Sequence, residues 1–139
     1  MSEEINRELQ EKLLILQQLQ GEAETVQRRI FEIDVLESEI DKTIETLEYF
    51  ESLDDSVDAL MNLGSGVFAY VDVKESKKML VDVGAGVIVE REVKDVLEIL
   101  RKRKEKVQES KEQHTQLLER IYSEAKKIQS EIAKMSKKE

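Results

Sequence analysis

Two apolar repeats of the same period, separated by a short glycine- and valine-rich interruption, constrain this chain more than any other feature. In the first half, apolar residues fall at Leu9, Leu13, Leu16, Leu19, Ala23, Val26, Ile30, Ile33, Leu36, Ile40, Ile44 and Leu47. The steps are three or four residues, with a mean of about 3.5, the period of a left-handed coiled coil rather than a straight helix. In the last third, Val93, Leu97, Leu100, Lys104, Val107, Ser110, His114, Leu117, Ile121, Ala125, Ile128, Ile132 and Met135 keep the same mean step. The 139 residues include no Pro, so nothing breaks either run. A first helix over residues 5–50 is predicted to be roughly 70 Å long at 1.5 Å per residue.

Charge predicts how the helices pair. Residues 3–51 carry 14 acids and 5 bases, whereas residues 91–139 carry 10 acids and 14 bases. Two helices of opposite charge joined by a compact insert are expected to fold back antiparallel, residue i facing roughly residue 140 − i. Arg101, Lys102, Arg103 and Lys104 then lie near Asp34, Glu37 and Glu39. Each such surface pair contributes about 0–1 kcal/mol, so the sum biases orientation more than it stabilises.

Residues 52–90 hold four of the five Gly residues. Asp54 or Asp55 is expected to cap a short helix through Val57, Leu60 and Met61. Strand-like runs follow at 67–73, 78–83 and 87–90, with Lys74-Glu75-Ser76-Lys77 as a hairpin loop. Leu63-Gly64-Ser65-Gly66-Val67 recurs twenty residues later as Val83-Gly84-Ala85-Gly86-Val87, which suggests two similar hairpins.

An isolated hairpin is marginal in water. In the run 67–71, Val67, Ala69 and Val71 point to one face and Phe68 and Tyr70 to the other, the pattern of a strand covered on both sides. The helices use their apolar stripes on each other, so cover for the sheet must come from other copies or subunits. The association segment therefore comprises Gly64, Gly66, Val67, Phe68, Tyr70, Val71, Val73, Leu80, Val81, Val83, Gly84, Gly86, Val87, Ile88 and Val89. The fold class is α+β: a long antiparallel two-helix coiled coil with an inserted pair of β-hairpins that oligomerise into a β-barrel platform. The parts are 1–51, 52–90 and 91–139, within one unit of 1–139.

The order coil, Leu63-Gly64-Ser65-Gly66-Val67-Phe68, hairpin, Val81-Asp82-Val83-Gly84-Ala85-Gly86-Val87-Ile88-Val89-Glu90, coil resembles the prefoldin family, in its archaeal alpha type, across essentially the whole chain. The heptads are unspecific, but paired Gly-x-Gly-Val motifs between two coils are distinctive. One departure is Met61-Asn62, where the family pattern has Val-Pro. The resemblance implies an ATP-independent co-chaperone, a holdase built as a hexamer of two alpha and four beta subunits. Its coil tips would hold unfolded polypeptides and pass them to a group II chaperonin. In an antiparallel coil, Ile5, Leu9, Leu13, Ile128, Ile132 and Met135 form the seam at that tip, and helix fraying offers them to a client. Each also fits an ordinary packed seam. Leu14 and Ile15 lie off the seam and are expected at the surface, unless a widened stripe packs them against the side of Leu118 and Tyr122.

Other function classes find little support. With no Cys and a single His, His114, neither thiolate chemistry nor a His-based triad or metal cluster can be built within one chain. Gly64-Ser65-Gly66 and Gly84-Ala85-Gly86 precede strands instead of a helix N-terminus, so they read as turns and not phosphate loops. No enzyme activity and no cofactor are expected. A net charge of −9 disfavours nucleic acid and anionic lipid, and the basic stretch Arg101–Lys106 lacks aromatic interleaving. No membrane span or secretory signal is visible, so a cytoplasmic protein is the expectation. The competing reading is a structural coiled-coil adaptor or tether that binds one folded partner and does not require the β segment to associate.

Overall fold

The computed structural model describes residues 2–54 and 56–137. Helix α1 (Ser2–Ser52) is followed by strands β1 (Val57–Gly64), β2 (Val67–Val73), β3 (Lys78–Asp82) and β4 (Ile88–Glu92), and then helix α2 (Val93–Lys137). These are the two long helices and two antiparallel hairpins that the sequence predicts. The chain divides into two compact units, Met1–Leu36 with Val107–Glu139, and Glu37–Lys106.

The first unit is an antiparallel helix pair. Ala23 and Val26 of α1 and Ile121 of α2 form its buried core, with Leu19, Ile30 and Leu118 packed against it. Burial weakens toward the chain ends, where Ile5, Leu9, Ile128, Ile132 and Met135 are only half-buried. The seam departs from the apolar reading at two places. Lys12 takes the position expected for Leu13, and Leu118 that of Leu117; Leu13 and Leu117 are exposed. With Lys12 included, the inward positions 5, 9, 12, 16, 19, 23, 26, 30 and 33 alternate steps of four and three without a break. Geometry sets this phase, and a long Lys stem satisfies it by lying along the seam with its ammonium group outward. Lys12 Nζ meets Glu131 at 2.5 Å, and Lys111 Nζ meets Asp34 at 2.6 Å. His114 Nδ1 lies 2.7 Å from the Ser110 carbonyl one turn back, so the polar seam residue is satisfied locally.

In the second unit, Ile40 and Leu47 of α1, Val81 of β3, and Val93, Val96, Leu97 and Leu100 of α2 are buried. Glu37 occupies the seam position expected for the neighbouring Leu36, which is exposed. Lys104 is likewise half-buried, and its ammonium group reaches Asp41 at 2.6 Å. Arg101 bonds Glu48 at 3.2 Å. The basic cluster therefore does face α1 acids, but in a shifted register. Lys12 meets Glu131 rather than Ile128, and Glu48 meets Arg101 rather than Glu92. The helices leave the β segment at Ser52 and Val93, and those two ends, not the chain termini, set the register.

The β segment corrects two local expectations. Val57, Leu60 and Met61 lie in strand β1, not in a short helix after Asp54; Asp55 lies outside the described residues. Their spacing fits one helical turn, but β1 pairs along its length with β2, from Val57↔Val73 to Gly64↔Val67. That partner is invisible to local periodicity. Lys74–Lys77 is not a hairpin loop either: β2 pairs only with β1 and β3 only with β4, so this stretch links two separate sheets. It is anchored at the base of the helices. Val93 N donates to the Lys77 carbonyl at 2.8 Å, Lys77 Nζ donates to the Glu51 carbonyl, and Ser76 is buried.

Candidate functional site

Two surfaces stand out, one on each unit. On the second unit, both hairpins present apolar side chains to solvent. Alternation turns Val57, Ala59, Ala69, Val71 and Val73 inward to half-burial, and leaves Leu60, Phe68 and Tyr70 outward. Leu60 sits directly opposite Tyr70, which is 93% exposed. In the second hairpin Met79, Val81 and Val89 turn inward, while Leu80 and Ile88 face out.

The 20-residue repeat has a shared physical basis. Gly64, Ser65 and Gly66 have φ values of 99°, 51° and 78°; Gly84, Ala85 and Gly86 have 130°, 51° and 76°. Three successive left-handed residues demand glycine at the outer two, where a Cβ would be strained by the backbone even though the space is open. In each turn a side chain two residues earlier accepts the first glycine's N–H: Asn62 Oδ1 from Gly64 at 2.9 Å, and Asp82 Oδ1 from Gly84 at 2.8 Å. Asn62, at a position where the sequence resemblance led to the expectation of Pro, thus supplies a turn acceptor.

Of the residues expected in the association segment, Gly64, Gly66, Val67, Phe68, Tyr70, Leu80, Val83, Gly84, Gly86, Val87 and Ile88 are exposed. Val71, Val73 and Val89 are half-buried, and Val81 is buried in the unit's own core. Sequence reasoning missed Leu60, Met61 and Leu63, which are exposed on β1. The repeated Leu63-Gly64 was the available signal, because a strand must enter that turn as β3 enters the second.

On the first unit, the consecutive residues Leu13, Leu14 and Ile15 of α1 are all exposed, Leu14 by 64%. With Gln10, Leu16, Gln17 and Gln20, the two leucines line a shallow apolar groove of 510 Å³. Leu14 and Ile15 therefore lie at the surface and not against Leu118. Glu131, half-buried beside this end of α1, is held below the usual carboxylate value by its hydrogen bond and charge interaction with Lys12, aided by Lys127 and Lys134. In the other unit, the hydrogen bond and charge of Asp41, with Glu37 nearby, raise Lys104 above the usual amine value. Both shifts express ion pairing across the helices and not acid–base chemistry. Among the described residues no cluster of His, Cys, Asp or Glu is placed to hold a metal, and no helix is long and apolar enough to cross a membrane.

Comparison with known proteins gives a consistent picture. The family model described as Prefoldin subunit matches residues 3–138. A protein named Prefoldin subunit alpha from Archaeoglobus fulgidus is 56% identical over 133 residues, covering 96% of this chain and 97% of that one. Its namesake from Thermofilum pendens is 31% identical, covering 79% and 85%. Among solved structures, a chain of the cryo-EM structure of filamentous PFD from Methanocaldococcus jannaschii superimposes with a TM-score of 0.73 at 18% identity, covering 84% of this chain and 96% of that one.

Proposed function

The chain belongs to the prefoldin family, a family of non-enzymatic chaperones, and from that premise we propose that it is the alpha-type subunit of an ATP-independent holdase. Residues 1–139 act as one unit, in which 1–51 and 91–139 form the arm and 52–90 the association segment. The exposed apolar faces of the hairpins pair with those of beta subunits, two alpha with four beta, into a closed β platform. Closure removes the open strand edges and covers Leu60, Phe68, Tyr70, Leu80 and Ile88. The assembly works in the cytoplasm, and clients held at the tips pass to a group II chaperonin.

The observation that carries the holdase reading is the exposed trio Leu13, Leu14 and Ile15, next to a seam that is loosest near the chain ends. Ile5, Leu9, Ile128, Ile132 and Met135 join the trio when the last turns open to a client. Burying such side chains yields about 25 cal/mol per Å² at best, so one arm binds weakly and several arms on one client bind well.

The test is aggregation suppression by the chain assembled with its beta partner, without nucleotide. Deleting residues 1–13 and 127–139, with Leu14 and Ile15 also replaced by Ser, abolishes suppression and leaves the mass of the assembly at the value for shortened subunits. Full suppression after trimming refutes the placement of the client site.

A further inference from the structure

The groove along α1 is lined by glutamines as much as by leucines. Gln10, Gln17 and Gln20 are exposed around Leu13, Leu14 and Leu16. Charged residues make up 38% of the chain, yet none of these six is charged, so nothing in the lining selects an occupant by charge. Among the described residues, none of the three glutamine side chains makes a hydrogen bond. Gln27, farther along the same helix, differs: its amide donates to Tyr122 of α2 and is used within the fold.

A glutamine amide offers both donors and an acceptor. It therefore matches a peptide group, which brings one N–H and one C=O. In a helix those backbone groups are already paired along the chain, whereas in an extended non-native segment they are not. Residues 10–20 rise about 15 Å along the helix axis. That is the length of about four or five extended residues at about 3.3 Å each. Over this length the groove presents a leucine floor with three unpaired amides along it.

We propose that Gln10, Gln17 and Gln20 bind the main chain of an extended client segment, while Leu13, Leu14 and Leu16 take its apolar side chains. The proposal rests on the reading of this end of α1 as the client surface, and adds what is recognised there: unpaired peptide groups as well as apolar area. Main-chain hydrogen bonds give affinity without fixing sequence, as when a peptide joins a sheet edge. Clients of unrelated sequence are therefore accepted, because every residue except Pro brings the same N–H and C=O. A segment that is already helical is refused, because its backbone has nothing left to offer.

The test uses the chain assembled with its beta partner and a fluorescent, unstructured peptide of about ten Gly, Ser and Leu residues, with binding read by anisotropy. Gln10→Met, Gln17→Met and Gln20→Met together keep side-chain length and helix propensity but remove the amides. This variant is expected to bind the peptide about fivefold or more weakly than wild type, with the mass of the assembly unchanged. A purely apolar groove predicts the opposite, since Met adds apolar surface. Methylating alternate backbone nitrogens of the peptide weakens its binding to wild type by a similar factor and has little effect on the Met variant, because the lost partners are the same. A version of the peptide stapled into a helix binds wild type more weakly than the extended one. Equal or tighter binding by the Met variant, an equal cost of methylation in both proteins, or tighter binding of the stapled helix overturns the proposal. So does a fall in assembly mass, which assigns the groove to a contact between subunits. Replacing Leu13, Leu14 and Ile15 with Ser reads the client surface separately: a variant that loses the peptide while the Met variant keeps it sinks the amide clamp alone, and one that keeps the peptide sinks the client surface itself.

Discussion

Asn62 and Asp82, twenty residues apart, play matching parts, each accepting the backbone N–H of the glycine two residues later and so opening a left-handed three-residue turn. Removing the acceptor from one turn affects that hairpin and not the other. Asn62→Ala is expected to cost about 1 kcal/mol, the net value of one such hydrogen bond. Asn62→Asp is expected to be nearly neutral, because the repeat already uses Asp there. Hydrogen exchange tests this: amides of 57–73 speed up in Asn62→Ala, while those of 78–92 keep their wild-type rates.

The outer glycines of the turns provide a second prediction. Gly66 and Gly86 have φ values of 78° and 76°, and a Cβ added at either would meet nothing within 4 Å. Any loss on substitution comes from the backbone rather than from crowding. Gly66→Ala and Gly86→Ala are each expected to destabilise by about 1–2 kcal/mol, read as a lower denaturation midpoint of the assembled protein. Equal losses at the two sites identify backbone strain as the common cause.

These turns also mark how far the sequence could be read. The Gly-x-Gly repeat announced two hairpins because left-handed backbone leaves a compositional trace. Strand β1 left no comparable trace, since Val57, Leu60 and Met61 fit a helical turn as well as a strand and the pairing with β2 decides between them. The coil was legible in period but not in phase at every step. Choosing the apolar neighbour selected Leu13 and Leu36, whereas strict alternation of three and four placed Lys12 and Glu37 inward. The same error made the availability of Leu13 to a client depend on fraying of the seam, whereas the side chain is exposed in the intact helix pair. Leu14 and Ile15 were recognisable, since no phase of the repeat could bury them with Leu16 and Leu19.

Lys12 and Glu131 make the chain-end coil sensitive to acid. The folded form holds Glu131 below the usual carboxylate value of 4.5, so its ionised form favours folding. The sign follows directly: this contribution is fully present above pH 4.5, and it is lost as pH falls through the lowered folded value. Glu131→Gln loses that contribution at neutral pH and above, so its chain-end amides already exchange faster there and show no further acid limb. Tracking the exchange of amides near residues 9–16 and 125–135 from pH 7 to pH 3 provides the measurement. A wild-type acid response in Glu131→Gln contradicts the assignment.

Leu13, Leu14 and Ile15 offer the sharpest separation between holding a client and holding the fold together. All three are exposed, whereas the adjacent Leu16 and Leu19 face the seam. Replacing the trio with Ser removes apolar surface that the folded subunit does not bury, so its stability changes little beyond the helix-propensity cost of about 0.5 kcal/mol per residue. If clients bind there, the transfer free energy of three aliphatic side chains is lost from every arm, and multivalent binding amplifies that loss. Suppression of aggregation is expected to fall at least about tenfold in effective concentration, with assembly mass and helix content unchanged. Replacing Leu16 and Leu19 instead lowers the melting temperature, because both are half-buried in the seam and Leu19 packs against Ala23 and Val26. A trio variant that keeps full suppression moves the client surface elsewhere on the arm, and exposed Phe31 and Val35 on the same helix are then the next residues to replace.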